Sequence, residues 1–278
     1  MKKTFHAISL TAFMLLVFQL MKPTLMAQPI PTSNGPIGSI LSVSDSGQIK
    51  YWNNTAWIAV NPGLSGQNLQ FVNGLPIWFD APVTDVDGNV YDVVTIGTQR
   101  WMKQNLNVTH YSNGNSISTA PDPLYWSWMT VGAYCNYNND VSYSPTYGKL
   151  YNYYTTIDPR KLCPTNWHIP SVTEWTTLTN YLGGSNLAGG KLKEIGLAHW
   201  TTPNVGATNI SGFTGLPGGY RSTNSGYGSL GGYGIWWSNT STGNSTAWTW
   251  SLEYYNTTAN TTSYYEYTRG FSVRCIKD

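Results

Sequence analysis

The chain has 278 residues, enough for one substantial core or a smaller core with an appendage, and only 10% of them are charged. Its formal net charge is +2, and residues 1–27 hold three lysines and no acids, so without that segment the charge is 2 − 3 = −1. No basic stripe then remains to neutralise phosphates, which excludes a nucleic-acid partner, and 13 Trp with 20 Tyr exclude a disordered tail.

In chain order, Lys2 and Lys3 precede an apolar stretch from Ile8 to Met21, and Ala27 supplies a small residue for cleavage. That pattern is a secretory signal over residues 1–27, because the apolar run is short for a bilayer. Secretion or display on the outer cell surface is the expectation, with no membrane span after cleavage. Residues 28–83 form a β-rich extension. Within it, ILSVSDSGQIKYWNNTAWIAV and NLQFVNGLPIWFD share an outline: SGQ, a strand, an Asn-centred turn and a Trp-containing strand. The two SGQ triplets start at 46 and 65, a spacing of 19 that marks a degenerate repeat. Two such hairpins bury little alone, so they need a neighbouring domain, more copies or a partner chain. Self-assembly through residues 40–80 is the corresponding partner expectation.

From residue 84 the pattern changes. Asp87-Gly88 is a hairpin turn between extended stretches, and Asp85, Asp87 and Asn89 only superficially resemble a calcium loop, lacking its sixth-position Gly and late acid. LCPTNWHIPSVTEW, residues 162–175, leads into a helix. Ser171 and Glu174 make a capping box, Trp175, Leu178 and Leu182 fall on one buried stripe, and Gly183-Gly184 stops the helix. A second, shorter helix is expected over Leu187–Ile195 with Leu192 and Ile195 inward. At the end of the chain, Phe271, Val273 and Cys275 alternate as a terminal strand.

Chemistry-bearing residues are sparse. His110, His168 and His199 have neither HExxH nor CxxC company, so no metal set is assigned. His168 is expected as a packed, hydrogen-bonded side chain, and no catalytic residue is named. Cys135, Cys163 and Cys275 allow three pairings, of which Cys163–Cys275 would tie the last strand to the middle of the fold. Closing a loop of that length restricts the unfolded chain by roughly 4–5 kcal/mol in the entropy model. Between Ser222 and Tyr265 the single charge is Glu253, amid dense Trp, Tyr, Asn, Thr and Ser. Such a surface suits glycan stacking or protein contact. The candidate contacts are Tyr233, Trp237, Asn239, Trp248, Trp250, Tyr254, Tyr255, Tyr264 and Tyr267, with at most one Trp of each neighbouring pair facing a ligand.

The segments DVDGNVYDVVTIGTQRWMKQNL, YGKLYNYYT, LCPTNWHIPSVTEWTTL, GFTGLPGGYR, WWSNT followed by AW, and GFSVRCIKD resemble the Fibrobacter succinogenes major paralogous domain over roughly residues 84–278. That family is similar in plan to C-type lectin-like and formylglycine-generating-enzyme-like folds. The resemblance implies an α+β domain of short helices, small twisted antiparallel sheets and long loops, whose first and last strands meet. It implies exported proteins of Bacteroidota–Fibrobacterota bacteria and no common activity or cofactor. Trp237-Ser238-Asn239 only echoes the WND of calcium-dependent lectins, and no reactive cysteine pair of the formylglycine-generating kind is present. The leading expectation is a bacterial binding protein that takes a glycan or protein ligand through its C-terminal loops. The alternatives are a subunit of a surface filament, a variable protein of a diversity-generating retroelement (residues 236–268 have that composition), and an enzyme with His168 or His199 beside an acid in a cleft.

Overall fold

The computed structural model describes residues 41–43, 49–53, 55–63, 67–119, 123–224 and 226–278. The signal segment at 1–27 and the leader after it lie outside these. The chain divides into two compact units: residues up to Val60 with Asn73–Leu75, and Asn61–Val72 with Pro76–Asp278.

In the smaller unit β1 (Leu41–Val43), β2 (Ile49–Trp52) and β3 (Trp57–Ala59) form an antiparallel sheet in that order. Asn53 makes the turn, its side-chain oxygen accepting from the backbone N–H groups of Thr55 and Ala56 at 3.0 and 2.8 Å. Trp52 and Trp57 face each other across the register with ring centroids 5.7 Å apart.

The second repeat is the hairpin β4 (Gln67–Val72) and β5 (Leu75–Asp80). Its base is tied to the strands that follow: Asp80 accepts from Thr95 Oγ1 at 2.7 Å and pairs with Arg100 at 2.8 Å. Next come a small hairpin, β6 (Val83–Thr84) and β7 (Val90–Tyr91), and a longer one, β8 (Val93–Ile96) and β9 (Gln99–Met102). Gly88 holds φ +85° at the Asp-Gly turn. Short elements follow: β10 (Ser118–Thr119), α1 (Pro123–Ser127), β11 (Ala133–Cys135), α2 (Ser144–Tyr147), β12 (Leu150–Tyr151), α3 (Tyr153–Thr156) and β13 (Trp167–His168). β10 pairs with β11 in parallel, so the small sheets are not all antiparallel as expected.

The capping-box helix is α4 (Val172–Tyr181), and both halves of the box are made: Ser171 Oγ accepts from Glu174 N at 3.3 Å and Glu174 accepts from Ser171 N at 2.8 Å. Trp175, Leu178 and Leu182 are buried as the spacing demands. α5 (Ser185–Leu192) is shorter than expected, because Lys193 turns to extended backbone; Leu192 is buried but Ile195 is 65% exposed, which corrects its inward assignment. The helix lies backbone against backbone: a Cβ on Gly189 would come within 2.4 Å of the Thr258 carbonyl, and one on Gly190 within 2.4 Å of that of Gly206.

β14 (Gly218–Arg221) and β15 (Tyr227–Leu230) form a hairpin before the main sheet, β16 (Tyr233–Ser241), β17 (Thr246–Glu253) and β18 (Ala259–Glu266), which is antiparallel throughout. The last strand, β19 (Ile276–Lys277), lies between β9 and β13, so it joins the β8–β9 hairpin. The expected strand through Phe271, Val273 and Cys275 is instead irregular. Phe271 bridges to Tyr151 and Ser272 to Trp236, and every residue from Gly270 to Ile276 is buried.

Both faces of the main sheet are covered. Ile235, Trp237 and Ala247 join a core with Met102, Tyr151, Tyr153, Phe271 and Val273, which also holds the Cys163–Cys275 disulfide. Trp236, Trp250 and Leu252 join a second core with Trp101, Trp175, Leu178, Trp200 and Phe213. A third, smaller cluster contains Trp126, Met129 and the buried thiol Cys135, whose pKa burial pushes up even though Arg221 lies beside it.

At the seam sits Arg274, fully buried. Its guanidinium donates to Asn105 Oδ1 from Nη2 at 2.7 Å and from Nε at 3.2 Å, and to the carbonyls of Phe213 and Thr214. Phe213 and Trp236 wall it at 4.1 and 5.4 Å from their ring centroids. Burial pulls the guanidinium pKa down, and these acceptors keep it cationic. Lysine cannot reproduce the fork, so Arg274→Lys is expected to lower unfolding stability by about 2–4 kcal/mol in urea titration. A change under about 0.5 kcal/mol would mean that the cluster does not depend on the guanidinium.

Candidate functional site

The nine residues expected to face a ligand separate into three groups. Two lie in the cores. Trp237 has no exposed surface; its indole N–H donates to the Tyr151 carbonyl at 2.8 Å, and its ring packs on Phe271 at 4.7 Å. Trp250 is 4% exposed and stacks on Trp175 at 5.8 Å with an 8° interplanar angle. At most one Trp of each pair is expected to face a ligand; at Trp236-Trp237 neither does, because alternation separates two faces and here both are covered. Neither Trp237 nor Trp250 is a contact residue.

A second group gathers where β16 begins and β17 ends. Tyr233 is the register partner of Glu253. The hydroxyls of Tyr233 and Tyr255 are 3.3 Å apart, and Tyr254 meets Tyr255 edge to face at 5.2 Å. Hydrogen bonding to Glu253 and then to Tyr233 raises the Tyr255 pKa, so the phenol stays protonated. The turn carrying these rings is clamped from beneath by Lys193. This buried ammonium donates to the carbonyls of Val205, Glu253 and Asn256 at 2.9, 2.8 and 2.7 Å, and burial lowers its pKa to about 8.

The third group lies at the opposite end of the sheet. There Ser241 pairs with Ala247 and Ala247 with Tyr265. Tyr264 is 71% exposed, and Trp248 is half-buried where the β17–β18 register shifts. Tyr267 stacks on Tyr153 at 4.4 Å and touches the Ser241 hydroxyl. Asn239 is exposed, its carbonyl accepting from Tyr153 Oη at 2.8 Å. Next to Tyr267, the Thr268 carbonyl accepts from the buried Trp126 indole at 2.5 Å, which ties in α1 with its Tyr125 and the turn after it with Trp128, 66% and 78% exposed. The sequence reading passed over these two. The signal was the run YWSWM, in which Trp126 and Met129 turn inward while Tyr125 and Trp128, three apart, turn out.

Asn239 also lines an open groove of about 580 Å³ with Asp158, Lys161, Thr165, Asn166, His168 and Asp278. His168 is indeed hydrogen-bonded, and on both sides: Nε2 to Glu174 at 2.7 Å and Nδ1 to Asp278 at 2.5 Å. An imidazole between two carboxylates serves them best as a double donor, which leaves no lone pair to accept a proton from a substrate. His199 contacts Glu194 at 2.8 Å and His110 contacts Asp87 at 2.6 Å, both away from the groove. The acids that resembled a calcium loop are occupied by their own surroundings: Asp85 accepts from the backbone of Asp87 and Asn89 and from Tyr91 Oη, and Asp87 accepts from Thr109. Among the described residues no group of three or more His, Cys, Asp or Glu side chains is placed to hold a metal. No helix there is long and apolar enough to cross a membrane.

Burial alone lowers the His168 pKa, but its hydrogen bonds to Asp278 and Glu174 outweigh it and raise the net value above 6.5. A raised folded pKa contributes stability below about 6.5 that is lost as pH climbs through the folded value. The difference in melting temperature between the native chain and His168→Gln is therefore expected to shrink from about pH 6 to about pH 9. A constant difference would show that the charge on the ring is irrelevant to the fold.

No curated protein and no solved structure matches the chain. Residues 94–277 match the model of the Fibrobacter succinogenes major domain, a span that includes the main sheet, both large cores, the disulfide and the groove. The chain thus belongs to the Fibrobacter succinogenes major domain family.

Proposed function

We infer that this is an exported or surface-displayed bacterial binding protein, built on a C-type lectin-like variant of the α+β plan, that takes a glycan or protein ligand. The contact surface we assign is the end of the main sheet bearing Asn239, Trp248, Tyr264 and Tyr267, together with Tyr125 and Trp128. The observation that carries the reading is the exposure of Trp128 and Tyr264, at 78% and 71%; Asn239, at the same end of the sheet, lines the open groove. Aromatic rings left in water cost hydration free energy that a ligand can recover, and their flat faces suit sugar rings or peptide side chains. Tyr267, stacked on the buried Tyr153, supplies a ring already ordered before binding. Beside the rings the Glu266–Arg269 pair at 2.9 Å is mutually neutralised, so contact there rests on stacking and neutral hydrogen bonds, while the groove next to Asn239 adds Asp158, Lys161 and Asp278.

Glycan and protein arrays would supply a ligand. Trp128→Ala and Tyr264→Ala are each expected to weaken its binding about tenfold, ~1.4 kcal/mol, with melting temperature unchanged. Tyr255→Ala, at the other end of the sheet, is expected to leave affinity unaltered. Loss on Tyr255→Ala alone would move the site to the Tyr233–Tyr255 end, and full binding in all three variants would sink the reading.

A further inference from the structure

The hairpin β4–β5 exposes a run of apolar side chains: Phe71 36%, Val72 38%, Leu75 49%, Ile77 41% and Phe79 39%. Among the described residues its sheet has two strands, and a pair of strands is marginal in water without a third or a packed face. The turn geometry fixes which backbone groups point away from the pair. Asn73 and Gly74 hold φ +51° and +77°, the two-residue arrangement in which the flanking residues are the hydrogen-bonded pair. Bonded and outward-facing positions then alternate along each strand. Pro76 falls at an outward position of β5, where it presents no N–H, so that edge is blunted. On β4 the outward positions are Phe71 and Leu69, and both carry N–H groups. No charged residue and no other proline lies between Gln67 and Phe79, so β4 lacks the devices that usually protect an edge.

The first repeat shows what such an edge receives. By the 19-residue spacing, β2 is the counterpart of β4, and β1 occupies its outer edge in antiparallel register, Leu41 opposite Tyr51 and Val43 opposite Ile49. Among the described residues each copy of the repeat is one hairpin, and the first has the preceding strand β1 on its edge while the second has none.

We propose that the edge of β4 pairs antiparallel with β4 of a second copy of this chain, making one four-stranded sheet across a two-fold axis. Identical strands satisfy each other's outward groups only when antiparallel, which a two-fold supplies. The uncharged stripe offers nothing to select a charged partner and is complementary to itself. A hairpin seam falls short of the roughly 1,200–2,000 Å² of a stable interface, so the association is reversible and depends on concentration.

Sedimentation velocity on residues 28–278 across the micromolar range tests this. The native chain is expected to show a monomer–dimer equilibrium. Phe71→Pro, which removes an outward N–H, and Phe71→Lys, which sets like charges across the seam, are each expected to weaken it at least about tenfold. Near-ultraviolet circular dichroism of the Trp-rich body should be unchanged in both. Mixing Phe71→Lys with Phe71→Glu is expected to restore a dimer, since opposite charges then face each other. A native chain that stays monomeric throughout, or any assembly that survives both substitutions, overturns the proposal.

Discussion

A buried guanidinium with no carboxylate partner holds the larger unit together. Arg274 is satisfied by one asparagine oxygen and two backbone carbonyls, and every one of those acceptors comes from a distant part of the chain. Asn105 belongs to the stretch after β9, Phe213 and Thr214 to the loop before β14, and the Trp236 wall to β16. Asn105 also accepts from the Trp236 indole at 2.8 Å and donates to the Tyr147 carbonyl at 2.9 Å. One side-chain amide thus joins three distant segments at once. Neutral acceptors spread around a cation impose geometry on all of them, because an unmet charge in the interior is far more costly than an unmet amide. The disulfide beside Arg274 fixes the same segment covalently, closing a separation of 112 residues.

This arrangement explains why the family's motifs lie far apart in sequence and together in space. WMKQN supplies the Asn105 acceptor, GFTG supplies two carbonyls and a ring, WW supplies the second ring, and VRC supplies the cation and the sulfur. A residue-by-residue search for catalytic chemistry finds little in these motifs because their polar atoms are used on one another.

Local features were legible in the sequence and tertiary ones only in part. The capping box, the Gly-Gly stop and the Trp175–Leu178–Leu182 stripe depend on neighbours within a turn or two, so pattern alone recovers them. The Cys163–Cys275 link followed from placing one cysteine before a helix and the other at the chain's last strand. The tryptophans of β16 and β17 were misread because alternation distinguishes two faces without saying what covers each. Ile195 was misread by a helix carried one turn too far. Arg274 and Lys193 gave no signal at all: a lone basic residue on the polar face of an expected strand or helix looks solvated, and only long-range acceptors make it interior. Trp128 was hidden by its surroundings in a run where Trp126, two residues earlier, is fully buried.

The coverage of the main sheet on both faces has a consequence for how the domain can diversify. A sheet with one wet face offers a plane of positions that can be exchanged without touching a core. Here β16 has no such plane from Gly234 to Ser238, so freedom to change is confined to the edge strand β18, the sheet's two short ends and the loops beyond them. Lineages descended from this scaffold would drift in narrow bands separated by nearly immobile tryptophans. New specificities would then come from loop length, end-on residues and β18, while the rest of the sheet passes from protein to protein almost unaltered.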